Sequence, residues 1–181
     1  MVKQILKNFL PDFLFSNLTD IDADFFKGAQ LIIFDLDNTL VFSEGRPGVP
    51  SGSYPGYPET KKEIIDWFHK INSRYKCTCL SNNRAIFDRK EKISKLLNCQ
   101  MFLSRHKKPF KRLFREIKEK YNFENDKVFV VGDRIFTDIL FGNLNGAKTI
   151  LVKPLGKKEN IFIKIIRKVE WLVLFLARFN V

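Results

Sequence analysis

Five strand-like runs rich in β-branched or aromatic residues alternate with periodic, charged, helix-like segments along this chain, and that alternation restricts the fold more than any other property of the sequence. The runs cover residues 30–35, 76–81, 99–103, 127–132 and 148–153. Between them, Pro58-Glu59-Thr60 opens a helix through Arg74 and Asn83 caps one through Leu97. Pro109 opens a third through Tyr121, and Thr137 to Asn143 makes a short one before Gly146. Strands joined through helices predict an α/β, Rossmann-like, doubly wound parallel sheet covered on both faces. Right-handed crossovers then bring the C-terminal ends of the strands to one rim, the ligand edge of an open α/β sheet.

A chain of 181 residues, 45% of them hydrophobic, is enough for one domain over residues 1–181 that needs neither disulfides nor a structural metal. Cys77, Cys79 and Cys99 form neither an even framework nor a zinc spacing. They lie in apolar runs where cysteine acts as a small core residue, as expected in a reducing compartment. The start, MVKQILKNFL, is too short and too broken by Lys3, Lys7 and Pro11 for a secretory signal, so a cytoplasmic location is expected, or a peripheral one on the inner face of the membrane. The net charge of +12 is concentrated in two places. Arg105–Lys120 carries eight Lys or Arg against two Glu, and Lys153–Val181 carries seven against two. Such clustering implies an anionic partner, the alternative being a solvated basic face.

The strand ends carry the chemistry. The run Leu31-Ile32-Ile33-Phe34 breaks into Asp35-Leu36-Asp37-Asn38-Thr39, the second strand ends at Ser81-Asn82, and the fourth at Gly132-Asp133 with Asp138 one turn later. Lys108 precedes Pro109 at the mouth of the third helix. Folding thus gathers acids for a divalent cation, a hydroxyl and an amide for phosphate oxygens, and a lysine for charge neutralisation. The pair Asp35 and Asp37 alone is equally compatible with solvated acids at a strand terminus.

The ordered set Asp35-x-Asp37-x-Thr39, Ser81, Lys108 and Gly132-Asp133 with Asp138 resembles the four motifs of the haloacid dehalogenase (HAD) superfamily of phosphatases. LIIFDLDNTLV, LSNN, KKP and VVGDRIFTDILFGNLNGAKTILVKP, with an N-terminal F-L-P-D segment and a basic tail, resemble more closely the YqeG-type class III HAD phosphatases, which are similar to phosphatidylglycerophosphate phosphatase. The resemblance implies the HAD fold and a Mg2+-dependent phosphomonoesterase working through an aspartyl phosphate. In it Asp35 is the nucleophile and Asp37 the acid and base. Ser81, Asn82 and Lys108 bind the phosphoryl group, and the metal set is Asp35, the Asp37 backbone carbonyl, Asp133 and Asp138. One departure is the Gly/Pro/Ser-rich loop from Glu44 to Tyr57, longer than the family pattern.

Plainer roles stand beside these. Thr39 satisfies loop amides, Ser81 caps a strand end, Asp138 caps the short helix, Lys107 competes with Lys108, and His69, on a helix near Trp67, is a surface or interface residue, with His106 adjoining the lysines. Only 43 residues separate Asp37 from Ser81 and 26 separate Ser81 from Lys108, which leaves no room for a large cap domain. An uncapped rim favours phosphate carried by something large: a phosphorylated lipid, a nucleic-acid end or a protein. Residues 43–58 form a loop near the site. Terminal amphipathic helices are expected, one within residues 1–28, where Val2, Ile5, Leu6, Phe9 and Leu10 have helical spacing, and one over residues 159–181. On the latter Lys164, Arg167, Lys168 and Arg178 form a basic side, and with Trp171 and Phe175 they suit an interfacial helix on an anionic membrane surface. The alternative is that both pack on the sheet or pair subunits. The resemblance points to phosphatidylglycerophosphate as substrate. The rival readings are a polynucleotide or protein phosphatase, weakened for RNA by the lack of an aromatic-rich motif, and a non-catalytic membrane- or ribosome-associated binding module, disfavoured by the intact acids.

Overall fold

In the computed structural model, which describes residues 6–42, 60–83, 86–156 and 161–180, five strands form one all-parallel sheet. They are β1 (Phe13–Phe15), β2 (Leu31–Asp35), β3 (Cys77–Leu80), β4 (Val128–Gly132) and β5 (Lys148–Val152), arranged across the sheet as β1-β5-β4-β2-β3. The helices are α1 (Lys62–Asn72), α2 (Ile86–Leu97), α3 (Lys111–Tyr121), α4 (Leu140–Leu144) and α5 (Ile161–Asn180). From β2 the chain crosses to β3 on one side and then returns to β4 on the other, so the winding reverses at β2. Asp35 ends that strand, at the crevice where doubly wound sheets hold ligands.

Every residue of β2 and β4 is buried, as parallel strands covered on both faces require. Alternate side chains feed two cores. Ile32 and Phe34 pack with Ile64, Phe68 and Ile71 of α1 and Ile93 and Leu97 of α2, whereas Leu31 and Ile33 meet Leu113, Phe114 and Ile117 of α3 and Phe141 of α4. Phe26, Phe34, Phe68 and Phe141 are fully buried, each worth about 1.5–3 kcal/mol relative to exposure. A third, smaller cluster joins Ile135, Ile139 and Leu151 to Leu174 of α5, with Phe9 and Leu10 against it.

Three elements differ from the sequence reading. Residues 99–103 form no strand: Met101 makes a single parallel bridge to Cys79, with Phe102 N donating to Cys79 O at 2.9 Å. Ser104 then turns the chain away, its hydroxyl donating to Glu116 Oε2 at 2.5 Å and accepting from His106 N at 2.9 Å. The short helix expected over 137–143 starts earlier, as a π-helical turn over Ile135–Ile139 that runs into α4. The N-terminal segment is helical at Leu6-Lys7 among its described residues, and beyond Pro11 it becomes β1, paired to β5. The loop at 43–58 and the Pro58-Glu59 helix start lie outside the described residues. No helix among the described residues is long and apolar enough to cross a membrane.

Asp12 fastens β1 to the sheet. Its Oδ2 accepts from Thr149 N at 2.7 Å and from Thr149 Oγ1 at 3.0 Å, and Thr149 is fully buried. Asp12→Ala leaves that amide without its acceptor and should lower the unfolding free energy by about 1–3 kcal/mol, read as a shift in the urea midpoint at unchanged slope.

Candidate active site

Register sets the distances at the rim. Asp35 lies opposite Leu80 and Phe34 opposite Val131, so Ser81 and Asp133 leave the sheet on either side of Asp35. After Asp35 the chain folds tightly on itself: the Leu36 carbonyl accepts from the amides of Thr39, Leu40 and Val41 at 3.2, 3.0 and 2.9 Å. Asn38 takes the left-handed conformation at φ 63°, which a short polar side chain tolerates. The turn brings Thr39 Oγ1 to 3.3 Å from Asp35 Oδ2 and 3.5 Å from Asp133 Oδ1.

Asp35, Asp133 and Asp138, all buried, each offer one carboxylate oxygen within 4.8 Å of the others. Lys108, also buried, lies between two of them, its Nζ donating to Asp35 Oδ1 at 2.5 Å and to Asp138 Oδ1 at 2.6 Å. Asp138 additionally accepts from Arg134 N at 3.1 Å through Oδ2, so it holds the start of its own turn and faces the cluster at once. Burial pushes the Asp35 carboxyl well above the ordinary carboxylate range; Lys108 pulls it back, and Asp138, Asp133 and Asp37 push it up again. Burial likewise raises Asp133 to about 6 against the opposing pull of Arg167. Desolvation alone would lower the Lys108 ammonium, yet Asp138 and Asp35 hold it above an ordinary lysine. Hard oxygen donors in a buried group of this size are the ligand type that Mg2+ takes, so the residues fit that cation.

The remaining motif residues sit beside this group. Ser81 Oγ donates to Asp37 Oδ2 at 2.6 Å and accepts from Asn83 N at 2.9 Å. The Asp37 carboxylate is not part of the three-acid group, and its buried Oδ1 has no hydrogen-bond partner among the described residues. Only its backbone carbonyl is left for the metal role that the resemblance implies. Asn82 clamps the backbone of Lys108, its Nδ2 donating to Lys108 O and its Oδ1 accepting from Lys108 N, both at 2.9 Å. In this arrangement the Asn82 side chain holds the lysine loop. His69 Nε2 bonds Leu96 O between α1 and α2 at 3.0 Å, and His106 Nε2 lies 3.5 Å from Glu116 Oε1.

Arg167 is the residue that sequence reasoning placed elsewhere. Grouped by helical position with a basic outer side, its side chain is 14% exposed and pairs with Asp133. The legible signal was the spacing of Arg167, Glu170, Leu174 and Ala177, which marks the inward face of α5. Glu170 is buried, its Oε1 accepting from Phe136 N at 2.9 Å, and burial raises its pKa.

Comparison with known proteins fits this site. Residues 106–160 match a family model described as HAD-hyrolase-like. The chain is 30% identical over 167 residues to the probable phosphatase YqeG of Bacillus subtilis, covering 91% of this chain and 88% of that protein. It is also 30% identical over 177 residues to phosphatidylglycerophosphate phosphatase 1, chloroplastic/mitochondrial, of Arabidopsis thaliana, covering 93% of this chain but 47% of that longer protein. A crystal structure of an uncharacterized protein from Listeria monocytogenes serotype 4b shares the fold, with a TM-score of 0.51 at 17% identity over 82% of this chain and 99% of that one. The chain belongs to the HAD superfamily, in the family of the YqeG phosphatases. It is therefore a phosphoric monoester hydrolase.

Gly132 makes room for the cluster: a Cβ there would lie 2.3 Å from Asp138 Cγ. Gly132→Ala should displace Asp138, cost about 1–3 kcal/mol of stability by urea unfolding, and remove most phosphate release from an aryl phosphate.

Proposed function

We propose that the protein is a Mg2+-dependent phosphomonoesterase in which Asp35 is the nucleophile. The observation that carries this reading is the lysine-bridged group of Asp35, Asp133 and Asp138 at the reversal point of the sheet. An Asp35 carboxylate oxygen attacks phosphorus while the bond to the leaving oxygen breaks, giving an aspartyl phosphate and an alcohol. Asp37, two residues along the same loop, gives that oxygen its proton. Water then attacks the same phosphorus, Asp37 takes up a proton from it, and inorganic phosphate leaves with Asp35 restored. Asp37 Oδ1, which has no hydrogen-bond partner among the described residues, is the carboxylate oxygen not engaged by Ser81. Ser81 Oγ and the Asn82 backbone amide hold the transferring oxygens, and Lys108 opposes their charge. Asp35, Asp133 and the Asp37 carbonyl would hold Mg2+, with Asp138 as a further ligand or their support. When bound, the ion supplies the positive charge that lets an anionic phosphoryl group approach three carboxylates.

The substrate we propose is phosphatidylglycerophosphate, met at an anionic membrane surface. The activity named for the Arabidopsis relative supports it, and so does the outer side of α5. There Ile161, Ile165, Val169 and Leu172 form an exposed apolar stripe flanked by exposed Lys164 and Lys168. A helix with such a stripe and cationic flank suits the interface of an anionic bilayer.

Two experiments test these proposals. Asp35→Asn should reduce Mg2+-dependent phosphate release from phosphatidylglycerophosphate by a factor on the order of 10⁴ or more while the circular dichroism spectrum is kept; a variant of near wild-type activity rejects the nucleophile. A phosphorylated oligonucleotide and an aryl phosphate run alongside rank the substrate classes. The double variant Val169→Asp/Leu172→Asp should lose sedimentation with phosphatidylglycerol vesicles yet still hydrolyse a soluble aryl phosphate at the wild-type rate; undiminished sedimentation removes α5 from the interface.

A further inference from the structure

We infer that Arg167 is a positioning residue of the cation site, delivered by α5, which orients Asp133 as a ligand. The inference rests on the metal reading above. The two terminal nitrogens of Arg167 reach the two ends of one residue: Nη1 donates to the Asp133 backbone carbonyl at 2.9 Å and Nη2 to Asp133 Oδ2. A planar guanidinium bonded at both points fixes the carboxylate relative to its own backbone, which a single point charge does not do. With Oδ2 engaged by Arg167, Oδ1 accepts from Thr39 Oγ1 at 3.5 Å, and that hydroxyl is also 3.3 Å from Asp35 Oδ2, so the oxygen that Arg167 leaves is the one on the side of Asp35. Carboxylates that bind metals are themselves held by outer hydrogen bonds of this sort.

The helix is built to place this side chain. One turn beyond Arg167, Glu170 accepts from Phe136 N within the same turn that carries Asp138. Leu174 and Ala177 are buried behind it, Leu174 against Ile135, Ile139 and Leu151. The α5 segment begins at Ile161, beyond the stretch 106–160 that matches the family model. The cation site is thus completed from outside the motifs that define it.

The sign of the effect separates this role from a purely electrostatic one. A guanidinium beside a divalent cation repels it, so on charge alone its removal would tighten binding. Loss of the fork acts in the opposite direction. Isothermal titration of the full chain with Mg2+ alone should give dissociation constants at least about tenfold weaker for both Arg167→Gln and Arg167→Lys, the second keeping the charge without the planar fork. Glu170→Ala, which removes the acceptor of the Phe136 amide and so loosens the same helix without touching Asp133, should stay close to wild type. Circular dichroism melts confirm that each variant is folded. Binding by the Arg167 variants as tight as wild type or tighter overturns the inference, as does an equal loss in Glu170→Ala, which would mark helix docking alone. Wild-type protein that takes up no Mg2+ would instead bring down the metal reading, and this inference with it.

Discussion

Three carboxylates removed from water repel one another, and they remain together because Lys108 lies between two of them and Arg167 against the third. Desolvation costs several kcal/mol per buried ion, and a buried pair stripped of one partner loses about 3–5 kcal/mol, so these cations are as much part of the architecture as the sheet beneath them. Exposed pairs such as Arg74 with Asp24 face water on both sides and add little by comparison. The apolar cores on the two faces of the sheet carry the load that allows a charged group to be kept inside.

The same interactions tie the site to distant parts of the chain. Asp35 ends β2, Asp133 follows β4, Asp138 sits on a π-helical turn, Lys108 comes from the loop before α3 and Arg167 from α5. Each is aimed by a local device. The Leu36 carbonyl gathers three amides to bend the loop after Asp35, Asn82 grips the lysine backbone, and Gly132 leaves the space that Asp138 fills. The acids of this rim are placed by register and backbone shape, so they need only short side chains with few torsions to fix, while the long Lys108 and Arg167 are held by their bonds to those acids.

Much of this is legible in the sequence, and the exceptions have physical causes. The runs that became β2 to β5 are continuous and apolar because both faces of those strands are covered, a pattern strong enough to read without a partner. Residues 99–103 carry the same composition, yet the hydrogen bonds of Ser104 to Glu116 and His106 compete with the sheet edge after one bridge, and composition holds no trace of that competition. β1 has only three residues, too few for periodicity, and it exists because Asp12 and Thr149 meet across the fold. The strand-end acids stand out as a motif, whereas Arg167 does not. Its role depends on which side of a helix turns inward, and on α5 the only mark of that side is the spacing of Arg167 with Glu170, Leu174 and Ala177, since the outer side carries apolar residues too.

Because β1 lies at one edge against β5, the residues that join them, Asp12 and Thr149, are 137 positions apart. That strand meets Phe25, whose ring packs on Phe13 and Phe15, soon after it is made, but its backbone partner arrives only with residues 148–152. Phe9 and Leu10 wait in the same way for Leu174. Until β5 is in place, the backbone of Phe13, Leu14 and Phe15 is an open strand edge, and contacts this far apart in sequence form late and slowly.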